Sequence, residues 1–503
     1  MSRPCYIGID LGLTRIKASA FDGSGRQIAC VGLPTPRSVI SSLMHEVDME
    51  VLADRVQVIL RDLAVEMTSL GFNAAGLGVT GHGNGLYVVD EDFRPLGPGI
   101  ASSDQRAHSY ASRIPVEVQT EIHRLTGSRP WAAQPLPLLR WLKNERPEVY
   151  SRIRWAMCCK DWIVTSLTGV ASADHSDMSA CGILDLTSRE LSKVPFEAFG
   201  VVEALDFIPP LHSSGEIVGT LTSQVSDFTG LPGGLPVIAG CMDCVASALG
   251  TGARLLGDVT IIAGTWAINA VIGPSGPPPA VGMVALLPDP SQMLCMEVSP
   301  ASVSNVDWLC AGFGATNDPL PIETLMEEAA ATPPGSDGLI FLPFVNGTGT
   351  TLPASGTFVG VSSFHDRGHL ARAVLEGVAH YHRVQLERVV ATGLVAEDQA
   401  WQLAGGGMRS QLWAQLFADI TQQVLHRHLD RELGALGVAS LVAKALEHGD
   451  LGWFDGDNID LFAPGPHRDY YQSHAALYDS VLAAMTPVWQ IMASKDDEVD
   501  KQV

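Results

Sequence analysis

Positive charge is scarce in this sequence: 32 Lys and Arg stand against 55 Asp and Glu, a formal net charge of -23. That shortage argues against nucleic acid as the main partner, because phosphate backbones are held by clustered basic side chains. An anionic ligand must then be met by local backbone amides and a metal ion, while the general acidity reads as a solvated surface. Long apolar runs are missing too. No uncharged apolar run approaches the roughly 18 residues of a membrane helix, and Asp10 breaks the apolar segment after Arg3 before it can serve as the core of a signal peptide. Nine cysteines, an odd number, lack the density of a disulfide scaffold, and Cys241-x-x-Cys244 has no second pair at zinc-finger spacing. The expectation is a soluble cytoplasmic protein in a reducing compartment, with Cys241 and Cys244 as small core residues.

What is present is ordinary globular composition spread over 503 residues, too many for one core. The opening predicts strands over 6–10, 16–21 and 27–33, separated by turn chemistry, then a helix over 49–70 and a strand over 76–80. Val51, Leu52, Val56, Ile59, Leu60 and Leu63 share the expected apolar face of that helix. A strand-turn-strand signal recurs at 258–263, Gly264-Thr265 and 266–272. This repetition suggests two α/β domains, 1–253 and 254–493, followed by a polar tail, 494–503, expected to be disordered.

Five groups carry candidate chemistry. In Asp10-Leu-Gly-Leu-Thr-Arg-Ile-Lys17 a carboxylate ends a strand, Gly12 permits close backbone approach to an anion, and Thr14 and Lys17 follow. Asp10 suits a hydrated Mg²⁺ ion, and Gly12, Thr14 and Lys17 suit the phosphates of ATP; an ordinary hairpin turn is the alternative. Gly264 and Thr265 repeat that logic. Gly405, Gly406, Gly407 and Ser410 lead a strand into a helix whose N-terminus favours anions, or form a plain flexible turn. Asp243 starts an Ala-rich helix, where it is suited to accept a substrate proton or to cap the helix. His82, in Gly-His-Gly-Asn-Gly, and Asp104, in Ser-Ser-Asp-Gln-Arg, lie on loops able to bind sugar hydroxyls, with loop and capping roles as alternatives.

Taken in order, these segments resemble the FGGY family of carbohydrate kinases over nearly the whole chain. Gly356-Thr-Phe-Val-Gly360-Val361, seven residues, then His369-Leu370-Ala-Arg-Ala373-Val-Leu-Glu376-Gly377 is similar to its C-terminal signature. Ala133 to Glu145 and Lys160-Asp161-Trp162 to Gly169 resemble its N-terminal segments. Leu138 and Ser355 depart from the pattern, and Gly-Glu-Arg is missing after Pro343.

The resemblance implies two ribonuclease-H-like (actin/hexokinase-like) domains with a cleft between them, and transfer of the γ-phosphoryl group of ATP to a sugar hydroxyl. It implies Asp243 as catalytic base, Asp10 as the metal-associated aspartate, and Gly12, Thr14, Gly264 and Thr265 as phosphate loops. Gly405, Gly406, Gly407 and Ser410 fall on the adenosine side, His82 and Asp104 near substrate hydroxyls, and Glu432 to Gly437 where a helix completes the nucleotide site. The L-xylulose kinase branch is most similar, which implies a ketopentose such as xylulose or ribulose. A short polyol, erythritol or glycerol, is the runner-up, and a regulatory scaffold with an actin-like fold is the reading of another class. A homodimer is the expected assembly.

Overall fold

The computed structural model of the protein describes residues 3–315, 318–349, 352–397, 399–428, 432–446, 453 and 459–500, the last seven as backbone. β1 (Arg3–Leu11), β2 (Arg15–Phe21) and β3 (Gln27–Pro34) form an antiparallel meander, as the apolar runs and turns predict. Two three-residue strands, Arg37–Val39 and His45–Val47, come next. They are too short to show an alternating pattern in the sequence. In α1 (Met49–Ser69), Asp48 accepts a hydrogen bond from the Val51 amide at 3.0 Å and caps the helix. Val51 itself is exposed, contrary to the expected apolar face. It sits about 100° around the helix from Leu52, which is buried with Val56, Ile59, Leu60 and Leu63.

β4 (Phe72–Gly81) returns parallel to β1. After α2 (Pro135–Glu145), α3 (Cys159–Thr168) and α4 (His175–Ala180) come β5 (Ile217–Thr220), β6 (Pro236–Ile238), β7 (Cys241–Met242) and α5 (Asp243–Gly250). The first sheet is ordered β5-β6-β4-β1-β2-β3, with β7 also paired to β4.

The second sheet contains β8 (Val259–Ala263), β9 (Ala267–Pro274), β10 (Met283–Leu286), β11 (Gln292–Ser299), β12 (Trp401–Ala404), β13 (Leu425–His428) and β14 (Ile459–Phe462). Its order is β10-β11-β9-β8-β12-β13-β14. β8 pairs antiparallel with β9 and parallel with β12, repeating the relation of β1 to β2 and β4. α6 (Arg367–Ala391), α7 (Gln411–Thr421) and α9 (Arg468–Asp500) accompany the second sheet, whereas α8 (Leu433–Ala445) packs on β1 and β4 of the first. α9 carries helical backbone through 494–500, where composition predicts disorder; 501–503 lie outside the described residues.

Contacts divide the chain into two units. The first comprises Met1–Arg254, Ile272–Cys295 and Asp430–Asp457; the second comprises Leu255–Val271, Met296–Leu429 and Asn458–Val503. In the first, Ile7, Ile9, Val79, Leu52, Ile59 and Ile163 belong to one buried core. α8 packs close to β1, because Gly8 has no side chain: a Cβ there would lie 2.0 Å from the Ala435 carbonyl oxygen. Val438 and Val442 fill the space beside Gly78 and Gly76 of β4. In the second unit, Phe344, Tyr381, Tyr478 and Trp489 pack in a core of their own.

Candidate active site

Three neighbouring strands of the first unit end together. Asp10 stands opposite Thr80 and Thr80 opposite Cys241, followed by Leu11, Gly81 and Met242 in the same register. Both pairings are parallel, so the residues that follow, Gly12, His82 and Asp243, start three loops at one edge, where sheets of this kind bind ligands. The Thr80 hydroxyl donates to the Cys241 carbonyl at 2.7 Å and the His82 amide to the Leu11 carbonyl at 3.2 Å. Gly240, at φ +75°, lets β7 approach: a Cβ would meet the Val79 carbonyl oxygen at 1.9 Å.

Asp243 is half-buried and is the first residue of α5. Its Oδ1 accepts from the Cys244 amide at 2.7 Å and the Cys244 thiol at 3.3 Å. Burial raises its pKa to about 6 even though both hydrogen bonds favour the charged form. Asp10 is raised further, to about 7, by burial, then by the charges of Asp243 and Glu432, against the opposing charge of Lys17. Gly434, in the first turn of α8, faces Asp10: a Cβ there would lie 2.8 Å from Asp10 Oδ2 and 3.6 Å from Ser247 Oγ. Ser247 is four residues after Asp243 on α5, so the two share one helix face. Asp10, a half-buried carboxylate whose proton affinity the charge of Asp243 raises, is a hard-oxygen ligand of the kind Mg²⁺ takes.

In the turn after β1, the Gly12 amide donates to the Arg15 carbonyl at 3.1 Å, and the Gly12 carbonyl accepts from the Thr35 hydroxyl at 2.7 Å. Thr14 is exposed. Lys17 is paired with Glu432, just before α8, at 2.7 Å. The second unit repeats this design. The Gly264 amide donates to the Trp266 carbonyl at 3.2 Å, Thr265 is exposed, and a Cβ on Gly405 would lie 2.3 Å from the Ala263 carbonyl oxygen. The Gly264-Thr265 turn and the Gly405 to Gly407 loop therefore lie side by side at the ends of the parallel strands β8 and β12. Ser410 caps α7, its hydroxyl accepting from the Trp413 amide at 3.3 Å.

His82 is buried, its Nε2 lies 3.3 Å from the Tyr87 hydroxyl, and burial lowers its pKa to about 4. The ring is thus neutral near pH 7. Asp104 is fully enclosed and accepts from the His45 amide at 2.7 Å and from the Arg106 amide and guanidinium at 2.8 and 3.0 Å. Its oxygens lock the 102–106 loop.

One buried network escaped the sequence reading. Lys160 Nζ pairs with Asp161, with Asp174 at 3.1 Å and with Asp177 at 3.3 Å, all out of solvent. Asp174 also accepts from the Ser176 hydroxyl, which in turn accepts from the Met242 amide at 2.9 Å, next to Asp243. The Lys-Asp pair at 160–161 is visible in the sequence, but its partners lie 14 and 17 residues from Lys160 with no periodic signal. Among the described residues Cys158, Asp161 and Asp177 could together hold a metal ion, yet the Lys160 ammonium already supplies the cation there. All nine cysteines are free, and Cys241 and Cys244 are buried, consistent with core residues.

A domain of strand hairpin, parallel neighbour and glycine turn, built twice, with carboxylates at the strand ends of the first, is that of a kinase with the two-domain actin/hexokinase-like fold. The crystal structure of xylulose kinase from Rhodospirillum rubrum superposes with a TM-score of 0.84 over 97% of this chain and 100% of that one, at 27% identity. Residues 5–250 match the N-terminal domain of the FGGY family of carbohydrate kinases and residues 259–446 its C-terminal domain. The chain belongs to that family and is a carbohydrate kinase, with ATP and a small-molecule sugar as substrates. It is 29% identical to the L-xylulose/3-keto-L-gulonate kinase of Escherichia coli (strain K12), over 86% of each chain. It is 28% identical to the probable L-xylulose kinase of Haemophilus influenzae, over 95% of this chain and 97% of that one. No helix among the described residues is long and apolar enough to cross a membrane.

Proposed function

We propose that the protein works in the cytoplasm and phosphorylates a ketopentose, xylulose or ribulose, with Asp243 as general base and Asp10 holding Mg²⁺. The observation that carries this reading is the pair Asp10 and Asp243 at strand ends on either side of β4, in a chain similar to the L-xylulose/3-keto-L-gulonate kinase of Escherichia coli and to a probable L-xylulose kinase. Asp243 takes the proton of the sugar hydroxyl as its oxygen attacks the γ-phosphorus. A base with a pKa of about 6 is mostly ionised at neutral pH yet more basic than an ordinary carboxylate, which favours proton transfer. Mg²⁺ would neutralise charge on the triphosphate.

His82, neutral at working pH, hydrogen-bonds a sugar hydroxyl. Asp104 acts through the loop it locks. Gly12 and Thr14 in residues 1–253, and Gly264, Thr265, Gly405, Gly406 and Gly407 in residues 254–493, contact the nucleotide. Lys17, through Glu432, and Ser410, as a cap, hold the loops beside these contacts.

ADP release measured with MgATP, with and without a panel of ketoses, aldoses and polyols, tests the proposal. Sugar-dependent release that is fastest with a ketopentose supports it. Release without sugar indicates a hydrolase, and no release with any sugar indicates a binding scaffold.

A further inference from the structure

Behind the glycine loops of the second unit lies a cluster of polar side chains with no part in the chemistry proposed so far. Asn269 on β9, Ser302 and Asn305 at the start of the helix Ser304–Phe313, and His382 on α6 are all fully buried. Burying polar groups is costly unless each finds a partner, and here the partners run in one line.

Asn269 Nδ2 donates to Gln385 Oε1 at 3.0 Å, which turns its Oδ1 toward His382 Nδ1, 2.9 Å away. An amide oxygen only accepts, so Nδ1 carries the proton. Burial lowers the pKa of the ring to about 3, so it is neutral and its Nε2 accepts, from the Ser302 hydroxyl at 3.3 Å. The Phe417 ring of α7 meets the His382 ring edge to face, with centroids 5.0 Å apart. The Ser302 carbonyl accepts from the Asn305 amide at 3.0 Å and from its side chain at 3.1 Å, which fixes the turn into the helix.

The next residue, Val303, stands between the two loops. Its amide donates to the Gly264 carbonyl at 3.0 Å, while the Gly264 amide is engaged with the Trp266 carbonyl. Its side chain lies against the other loop: a Cβ on Gly407 would be 3.0 Å from Val303 Cγ2 and 2.5 Å from Trp413 Cζ3. Whatever holds Ser302 therefore holds both loops.

Resting on the nucleotide-site reading above, we propose that His382 and Ser302 are positioning residues for ATP. Through Val303, their hydrogen bond sets the spacing between the Gly264-Thr265 turn and the Gly405 to Gly407 loop. Neither residue touches the nucleotide. Loops fixed before the ligand arrives bind it without an ordering cost, so loosening this strut weakens nucleotide binding and leaves sugar binding as it is.

The test compares wild type with Ser302→Ala, His382→Leu and His382→Gln, the last able to keep both hydrogen bonds. Calorimetric titration without sugar gives the Kd for ADP, and steady-state kinetics give the KM values for ATP and sugar, alongside melting temperature. Removing one partner of a buried neutral hydrogen bond corresponds to about 5-fold to 100-fold in an equilibrium constant. The ADP Kd and ATP KM should rise by at least about 5-fold in Ser302→Ala and His382→Leu. The sugar KM should move by less than about 2-fold, and His382→Gln should lie closer to wild type. Folded variants with a lower melting temperature but an unmoved ADP Kd mark a merely structural cluster and overturn the proposal, as does an equal rise in both KM values. If His382→Leu does not fold, Ser302→Ala, which removes a single oxygen, decides by the same criteria. Wild type that binds no nucleotide overturns the nucleotide-site reading and this proposal together; wild type that binds it, with variants that match, overturns only this one.

Discussion

Asp243 and Asp10 have pKa values near 6 and 7, so both titrate close to neutrality. As a base, Asp243 must be ionised, and kcat/KM for the sugar should rise as pH passes upward through about 6. A pH-rate profile with no inflection between pH 5 and 7 would remove Asp243 from that role. Stability runs the other way. Both folded-state pKa values exceed the unfolded value of about 3.9, so between about pH 4 and 7 the folded state binds protons the unfolded chain has released. Without nucleotide and metal, stability should fall as pH rises across that window, each tenfold difference in proton affinity being worth about 1.4 kcal/mol. Asp10→Asn, which keeps the shape and removes the charge, should melt higher than wild type at pH 7.5 and show a flatter profile; calorimetry from pH 5 to 8 checks this. Asp10, His82 and Asp243 were legible in the sequence because each lies at or just past the end of a short apolar run, close to Gly12, Gly81 and Gly240. Ser247 and the partners of Lys160 were not, because only the folded chain gives them their neighbours.

At the scale of elements, α8 is the helix on which the site leans. Its small residues face β1 on one side and α5 on the other: a Cβ on Gly437 would lie 1.9 Å from the Ala246 carbonyl oxygen, and one on Gly250 2.1 Å from that of Leu433. An alanine inside a helix normally stabilises by about 0.5–1 kcal/mol over glycine. Gly437→Ala should instead destabilise by about 1–3 kcal/mol, because backbone cannot yield as a side chain does. Gly23→Ala, with nothing within 4 Å of its Cβ, is the control and should stay within about 0.5 kcal/mol of wild type. Urea titrations of both variants measure the difference.

The Lys160 network makes a second claim at this scale. Lys160→Met leaves three buried carboxylates without a cation and should cost about 3–5 kcal/mol near neutrality. Part of that loss should return at pH 5 as carboxyls protonate, and an unchanged melting temperature at pH 7.5 would show that the ion cluster is dispensable. α8 was readable as a helix through the resemblance of Glu432 to Gly437 to the family's nucleotide-site segment. Its destination was not readable, since tight glycine contacts with β1 and α5 leave no periodic trace.

For the whole molecule, duplication was the feature sequence conveyed best: two glycine turns after two strands, at Gly12 and Gly264, reappear as matched strand triplets. What local patterns missed is that the first unit reclaims Ile272–Cys295 and Asp430–Asp457. Such returns depend on contacts between segments more than 100 residues apart, Ser179 with Leu286 and Gly8 with Ala435 among them. The shared carboxylate edge of β1, β4 and β7 is the part of the architecture on which the functional account depends, since it alone joins Asp10, His82 and Asp243. Its most direct test is ADP release with MgATP by wild type and Asp243→Asn, across D- and L-xylulose, D- and L-ribulose, erythritol and glycerol. The account predicts release only with sugar, fastest with a ketopentose, and about 10² to 10⁴-fold slower in a folded Asp243→Asn variant. Sugar-independent release, or an Asp243→Asn variant as fast as wild type, would contradict it.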